Sequence, residues 1–417
     1  MKSYMSRSII IIVLLLISSP LISQWNYVQA DDFPNGRVDD LFFLDELNGF
    51  WCTGGGQIFK TTDGETASLV LLANVYFRSI EFMDDNTGFA GTLDNAMYKT
   101  IDAGETWDEI ELGFTAPGIC GMHAINDQIL WASGAWFEPA YLIKTTDAGE
   151  NWEYIDMGEH ASALVDIHFV DENIGFTTGY NDQGATILKT IDGGSTWNEV
   201  FNNDVPGSYV WKIDDLHNDS DVIYVSIEHF SGEHSDMAIS YDQGETWTGK
   251  AVPAADHQGI GFVNENHGWV GGHDFTTYET LDGGDTWEAI PIVTGLNRVF
   301  VVNSETVYAG GHALYRYTDT SIGLDESLAG ESIKPNVNFY PNPISSEFDY
   351  SIKVDRGDNL IVFLADTQGR KIKFLKRDRL NAGTTDYTFN IDVPNGEYLL
   401  ITHLNGSFRA DHVTVVK

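Results

Sequence analysis

Short runs that alternate between apolar and polar residues recur along this chain, each closed by the same polar stretch. Its clearest copy is KTIDAGETWDEI, residues 99–110. The residues before Asp102 alternate as a strand does. Asp102 then opens a tight turn, because its carboxylate accepts nearby backbone N–H groups. Gly104 takes the positive φ that other residues resist. Thr106 and Trp107 start a returning strand, where β-branched and aromatic residues fit. The indole is large enough to fill the wedge between neighbouring sheets. The pattern Lys-Thr-x-Asp-x-Gly-x-Thr-Trp returns at Lys144, Lys189, Ile239 and Glu279, and a damaged copy at Lys60 has Ala67 in place of the Trp. The aspartates are Asp63, Asp102, Asp147, Asp192, Asp242 and Asp282, separated by 39, 45, 45, 50 and 40 residues. The tryptophans are Trp107, Trp152, Trp197, Trp247 and Trp287. A period of about 40–50 residues marks a propeller or array. The repeated Asp reads as a structural turn rather than a catalytic group.

Ahead of each box lie an innermost strand and a second strand with a Gly-aromatic or similar pair. The pairs are Gly49-Phe50, Gly88-Phe89, Leu130-Trp131, Gly175-Phe176, Ile223-Tyr224, Gly268-Trp269 and Val307-Tyr308. These make seven units. The seventh has three strands only (298–302, 306–310 and 313–318), and no Trp follows Asp319. Residues 25–28, WNYV, match the segment that follows the other boxes. Ring closure removes exposed sheet edges, so this strand is expected to complete the last blade.

The repeated stretch resembles the Asp-box, or bacterial neuraminidase repeat. The fuller repeat, GF-x-x-G followed by KT-x-D-x-G-x-TW, looks most like the photosystem II assembly factor family of propellers. Sialidases, sortilins and xyloglucanases carry related boxes. The likeness runs from about Trp25 to Asp319 and implies a propeller. It says little of activity, since one fold hosts many functions.

The two ends of the chain read differently. Lys2 and Arg7 precede a nine-residue apolar run, 9–17, followed by small and turn residues, so residues 1–24 are expected to be a secretory signal. That run is too short to span a membrane. Two cysteines, Cys52 and Cys120, fall in non-adjacent blades and read as buried free thiols. Residues 320–335 have no strand pattern and read as a linker. The whole chain holds 23 basic and 62 acidic residues; residues 331–417 hold 11 of each, so the entire net charge of −39 lies before them. That asymmetry argues for two domains.

The tail, 336–417, shows short alternating strands between Asn-Pro, Gln-Gly and Asn-Gly turns, which predicts a small antiparallel sandwich. The expected fold class is all-β: a seven-bladed β-propeller (25–319) followed by that sandwich. Residues 340–343 (YPNP), the DTQGR turn at 366–370, residues 395–398 (NGEY) and the terminal Val415-Val416-Lys417 resemble the C-terminal sorting domain of the type IX (Por) secretion system. The resemblance implies that the secretion machinery is a partner and that the protein is secreted or held at the outer-membrane surface. A generic adhesive sandwich is the alternative.

Candidate chemistry is sparse. So acidic a propeller is a poor partner for nucleic acid, whose phosphates need a basic footprint. A sialidase would need three substrate-binding arginines and an Arg-Ile-Pro start. The propeller has Arg37, Arg78, Arg298 and Arg316, and no such start. One set of seven blades is too short for the two-propeller cleft of a xyloglucanase. With 51 acids before residue 331, some pair will sit at glycosidase spacing by chance. His229 and His234 lack a third zinc ligand that can be named, and the acidic turns show no EF-hand-type spacing. No catalytic residue, metal or cofactor is therefore assigned.

The box turns are short and uniform, which suits structure. The opposite face carries the varied loops, where function tends to sit on a rigid scaffold. Its loops and strand starts supply Trp136, Phe137, Tyr180, Trp211, Phe230, His234, His257, His273, Phe275, Arg78 and Arg298. Aromatics with a few polar groups at a channel mouth suit a sugar or peptide. The expected function is a secreted, non-catalytic binding propeller for an extracellular glycan or protein ligand. A carbohydrate-active enzyme or lectin is one alternative, and an assembly factor for a surface complex is another.

Overall fold

The computed structural model describes residues 25–30, 37–216, 219–229, 235–253, 256–273, 276–290, 293–318, 336–354, 358–365, 371–404 and 407–417. The expected leader and linker lie outside the described residues. The chain divides into two compact units, Met1–Thr318 and Asp319–Lys417.

The first unit holds seven sheets, six of four strands and one of five, among the described residues. Their innermost strands are Val38–Phe43, Phe77–Phe82, Gly121–Ala124, Ala163–Phe169, Ser208–Leu216, His257–Asn264 and Arg298–Val301. Each touches the next, and Arg298–Val301 returns to touch Val38–Phe43, which closes a ring of seven blades. Trp25–Tyr27 pairs antiparallel with Leu314–Thr318, Trp25 opposite Tyr317. The N-terminal strand thus completes blade 7, as its post-box pattern requires. The chain then does something the pattern does not announce. Gln29–Ala30 runs parallel to Thr66–Leu72 as a fifth strand of blade 1, so one segment straps both sides of the closing seam.

Each blade-to-blade wedge has its own apolar core. Trp107 of the blade 2 box shares one with Phe50 and Ile58 of blade 1 and with Phe82. Trp152, Trp197, Trp247 and Trp287 repeat the arrangement. Between blades 6 and 7 no box exists, and Trp25 takes the place, 5.3 Å from Trp269 and 5.2 Å from Tyr317 between ring centroids. At the closing seam the box offers only Ala67; Val28, Trp51, Phe59 and Tyr308 fill the space instead.

The box chemistry follows from its residue types. In blade 2, Thr106 N donates to Asp102 Oδ1 at 2.9 Å and the Thr106 hydroxyl donates to Oδ2 at 2.6 Å. The Thr100 hydroxyl donates to Asp102 at 2.9 Å and accepts Gly104 N at 2.9 Å. These donors hold Asp102 down to about 2, the Thr106 hydroxyl first among them. Gly104 sits at φ +73°, and a Cβ there would overlap the Phe50 ring of the preceding blade. The lysine before each of the first four boxes is a latch. Lys60 Nζ donates to Ala103 O at 2.8 Å and pairs with Glu105 at 2.5 Å in the box of the next blade. Lys99, Lys144 and Lys189 reach Glu150, Gly193 O and Glu245 of the following boxes. Blade 5 has Ile239 in that position, and Lys250 on its fourth strand supplies the bond to Gly283 O at 2.8 Å. Four latch lysines also lie over the aromatic of the Gly-aromatic pair, Lys144 at 4.5 Å from the Trp131 ring.

In the second unit, Asn336–Tyr340, Glu347–Val354 and Gly383–Asn390 form one sheet. Lys371–Leu380, Asp358–Ala365, Gly396–Leu404 and Ser407–Val415 form the other. One apolar core, including Phe348, Ile352, Leu360, Leu400 and Val413, joins them into the expected antiparallel sandwich. Both cysteines of the propeller are buried free thiols.

Trp25→Ala should lower the melting temperature by roughly 5–10 °C, the cost of emptying a buried indole site in a domain of this size. Tyr27→Ala, at the more exposed end of the same strand, should lower it much less. Scanning fluorimetry of the two variants checks this; equal shifts would show that the strand does not anchor the wedge.

Candidate functional site

The box turns and the first-to-second turns share one face of the ring. Ala103 N donates to Asn86 O, Ala148 N to Gln128 O, Gln243 N to Asp221 O and Gly283 N to Asn266 O, all at 2.9–3.0 Å. The second-to-third loops and the strand starts therefore form the other mouth of the channel. Five of the seven innermost strands are bulged near that mouth, at Asp39, Arg78, Val165, Trp211 and Gln258. A bulge adds one residue and re-aims its side chain. Here it turns a repeated position of the scaffold into a ring of non-repeating side chains.

One half of the mouth is aromatic. Phe137 and Trp136 come from the blade 3 loop, Tyr180 from blade 4, Tyr209 and Trp211 from blade 5. Their rings form a row: Phe137 to Trp136 5.5 Å, Trp136 to Trp211 6.1 Å, Trp211 to Tyr209 5.6 Å and Tyr209 to Tyr180 4.2 Å. Phe137 is exposed and Trp136, Tyr180 and Tyr209 are half-buried, whereas Trp211, in the middle of the row, is buried. Behind it, Trp211 Nε1 donates to the carboxylate of Glu228, which is 3% exposed. Burial pushes Glu228 up to about 7.

The other half is charged and cross-linked. Asp39 receives Arg37 at 2.6 Å, the Tyr76 hydroxyl at 3.2 Å, Gly54 N at 2.8 Å and Arg78 at 3.6 Å. Arg37 also bonds His273 and reaches Gln258 at 3.4 Å. Below this level the channel is bridged. Arg298 of blade 7 lies 3.5 Å from both Asp40 of blade 1 and Asp166 of blade 4, and Lys212 adds a contact to Asp166 at 3.9 Å. Deeper still, His168 pairs with Asp215 at 3.5 Å, with the His123 ring 4.7 Å away. Glu81 accepts Ala124 N at 3.1 Å. Burial lifts Glu81 to about 8 and Asp214 to about 6.

Of the expected site residues, Trp136, Phe137, Tyr180 and Trp211 come together. His273 is exposed on the charged half. Phe230, His234 and Phe275 lie outside the described residues. Three placements differ from expectation. His257 is fully buried, its ring nitrogens 3.1 Å from Asp236 O and Gly259 O, so it props the strand start and faces no ligand. Arg78 is 3% exposed and held by Asp39, and Arg298 forms the channel bridge. Neither is a free cation at the mouth. Asp63, Asp102, Asp147, Asp192, Asp242 and Asp282 all make the turn bonds assigned to them.

Sequence reasoning missed Tyr209, Glu228, Asp39, Tyr76 and Gln258. Tyr209 was within reach, since residues i and i+2 of a strand share a face. Asp39 and Gln258 are bulge residues and Glu228 meets the bulged Trp211, and those bulges leave no mark in the repeat. Ser208, His229 and Asp236 also form a relay, with His229 2.7 Å from Ser208 Oγ and 2.8 Å from Asp236 Oδ2. Ser208 is fully buried, so the relay ties a hairpin end and presents no nucleophile. Both ring nitrogens of His229 are engaged, which removes it from any zinc site. Among the described residues no cluster of His, Cys, Asp or Glu could hold a metal.

No known protein family matches the chain by its sequence profile, and no curated protein matches it. Solved structures do. YCF48 bound to D1 peptide superposes with a TM-score of 0.56 at 17% identity, over 71% of this chain and 97% of that one. A glycoside hydrolase, GH74 of Niastella koreensis, gives 0.54 at 13% identity over 94% and 75%. Virginiamycin B lyase from Staphylococcus aureus gives 0.55 at 12% over 70% and 98%. The fold is a β-propeller that resembles the photosystem II assembly factor. Its neighbours include enzymes and a peptide-binding protein, so the likeness shows architecture alone.

The raised carboxyls of the channel predict a pH dependence. A carboxyl whose folded pKa stands above its unfolded value holds its proton more tightly when folded. Its contribution to stability is therefore lost as pH rises from about 4.5 through about 8 for Glu81. Between pH 5 and pH 9 the melting temperature should fall more steeply in the wild type than in Glu81→Gln, which has no such proton to lose. Parallel slopes would sink the assignment.

Proposed function

We propose that the propeller is a secreted, non-catalytic binding module that takes an extracellular ligand on the aromatic half of its mouth. The observation that carries this reading is the row of five rings from three blades, half open to solvent, on a scaffold whose opposite face is occupied by turn bonds. Aromatic faces beside a few fixed polar groups are how such sites orient a ligand. The bridged channel supports binding over transport, because Arg298 and Asp166 meet across it. Among the described residues of the mouth no accessible nucleophile stands beside a base, Ser208 of the Ser208–His229–Asp236 relay being buried, which favours binding over hydrolysis. The lectin or glycosidase alternative draws on the same row, since sugars also stack on aromatic faces. An assembly role for a surface complex draws on the photosystem II assembly factor likeness.

Export by the type IX system is the second part of the proposal. The DTQGR turn at 366–370 lies outside the described residues; Asn342, Asn395 and Glu397 of the other motif segments bond the last strand and the residues after it. Asn342 Oδ1 accepts Thr414 N at 2.9 Å, and its amide donates to His412 O at 2.9 Å. Glu397 accepts the Thr414 hydroxyl at 3.0 Å, and Asn395 accepts Lys417 N at 2.9 Å. A terminal strand presented in one fixed form is what a sorting receptor could read.

Two experiments test these parts. Trp136→Ala with Tyr180→Ala should abolish binding to whatever ligand a glycan and peptide array reveals, with a small change in melting temperature. Retained binding in this pair, with loss in folded Asp-box variants, would move the site to the other face. Removing residues 336–417 should leave the protein in the periplasm of a type IX-competent host; its appearance in the medium would refute the export assignment.

A further inference from the structure

We propose that the outward face of the smaller sheet of the second unit is a binding groove for a neutral sugar chain. This inference rests on neither the mouth reading nor the export reading.

The groove follows from strand register. Asn336–Tyr340, Glu347–Val354 and Gly383–Asn390 lie side by side, with Glu347–Val354 in the centre. Phe339, Tyr350 and Tyr387 stand opposite one another on these three strands. All three turn inward. Tyr350 is 1% exposed, and its hydroxyl meets that of Thr402 on the other sheet at 2.9 Å. Phe339 and Tyr387 pack on the same core. Successive residues of a strand point to opposite faces. The rows on either side therefore point outward: Tyr340, Asp349 and Thr388 in one, Asn338, Ser351 and Asp386 in the other. These rows are the walls, and the backbone of the middle row is the floor. Together they line a cavity of about 480 Å³ that runs across the strands. Asn338 and Tyr340 on one flanking strand, and Asp386 and Thr388 on the other, are exposed, so both ends of the groove meet solvent.

Three features point to a sugar. Tyr340 is 76% exposed, more than any other large hydrophobic side chain among the described residues. A flat ring beside fixed polar groups is a surface on which the C–H face of a sugar stacks. Second, the polar groups of the walls chiefly accept hydrogen bonds. Ionised Asp349 and Asp386 only accept, and Asn338 and Ser351 do both. The Thr388 hydroxyl donates to Asp349 Oδ1 at 2.8 Å, which fixes that carboxylate in place. Acceptors so arrayed suit a ligand that donates at every position, as a polyol does. Third, Asp349 and Asp386 stand diagonally across the groove, about 7–8 Å apart between their backbones. One ammonium group reaches one of them, whereas a sugar ring carries hydroxyls on both its edges and reaches both.

Other ligands fit less well. The walls hold two carboxylates and no cation, which repels acidic sugars, phosphates and sulfates. Lys353 stands one row further along, opposite Thr384. A peptide that adds as a strand needs a free edge, and this groove crosses a central strand paired on both sides. Three strands span roughly 10 Å, the length of a disaccharide.

The test uses the full chain. Cellotetraose, maltotetraose and xylotetraose are the neutral probes, tetragalacturonate the acidic one and n-butylammonium the cation. Binding is read by calorimetry and by saturation-transfer NMR. At least one neutral tetraose should bind, n-butylammonium about tenfold more weakly, and tetragalacturonate should be silent. Tyr340→Ala and Asp386→Asn should each weaken the neutral sugar by about tenfold or more. Both side chains are exposed, so the melting curve should stay as it is, and either variant serves if the other fails to fold. Where calorimetry shows a second class of sites, the two variants should remove one class only. Undiminished binding in both variants places the sugar elsewhere on the chain, the propeller mouth included, and overturns the inference. Tighter binding of n-butylammonium or tetragalacturonate than of every neutral probe overturns it too, as does silence from all three neutral probes. None of these outcomes touches the mouth reading, which its own array and variants decide.

Discussion

Everything in the propeller depends on the joint between one blade and the next. A four-stranded sheet cannot bury both faces alone, and a twisted sheet packed on its neighbour leaves a wedge at the rim. The box closes that wedge twice over. Its tryptophan fills the apolar gap, as Trp107 does against Phe50 and Phe82. Its turn offers a carbonyl and a carboxylate to the lysine of the preceding blade, as Ala103 and Glu105 do for Lys60. The apolar part supplies most of the stability; the exposed end of the ion pair adds little of its own. The lysine matters more for alignment, since it fixes where one box sits over the previous blade.

The closing seam follows from the same requirement. A linear chain must leave one joint without a covalent neighbour, and here that joint also has the damaged box. Ala67 cannot fill its wedge, so Val28 enters from the N-terminal strand and Gln29–Ala30 hydrogen-bonds along Thr66–Leu72. Arg316 stands in for the latch lysine, 5.9 Å from the Tyr308 ring and beside Gly64. One short segment therefore supplies the last strand of blade 7, the wedge residue Trp25 and the strap on blade 1. The loss of the Trp at position 67 is tolerated because another part of the chain occupies its volume.

The repeat made the scaffold legible and hid the site for the same reason. Residues that do the same task in every blade recur at blade spacing, and recurrence can be read without a structure. Asp102, Gly104 and Trp107 belong to this class, and so does the orphan strand at Trp25. The mouth is built from what does not recur. Trp136, Phe137, Tyr180 and Trp211 stood out as large aromatics in varied loops, and they do converge. His257, Arg78 and Arg298 stood out by residue type, but polarity does not reveal whether a side chain faces a ligand or a backbone carbonyl. Glu228 was visible only as one acid among many. Its meaning depends on Trp211 across the strand pair, and that contact exists because of a bulge with no sequence signature.

Acidity itself takes on different roles within one ring. On the box face each Asp is engaged by its own turn, with Asp63 and Asp102 held down to about 2. Inside the channel, Glu81, Asp166, Asp214 and Asp215 crowd around Arg298, Lys212 and His168, and that many carboxylates cannot all ionise beside so few cations. Protonation of Glu81 and Asp214 relieves the excess, while Arg298 stays charged and holds blades 1, 4 and 7 together. The channel is thereby neutralised from within and needs nothing from outside. Glu228 differs because it lies above the bridge, buried beside the equally buried Trp211, where an indole N–H and a proton taken up near pH 7 supply the relief. That contrast, between carboxylates balanced by the cations of the channel and one balanced by an indole and a proton, separates the mouth from the scaffold beneath it.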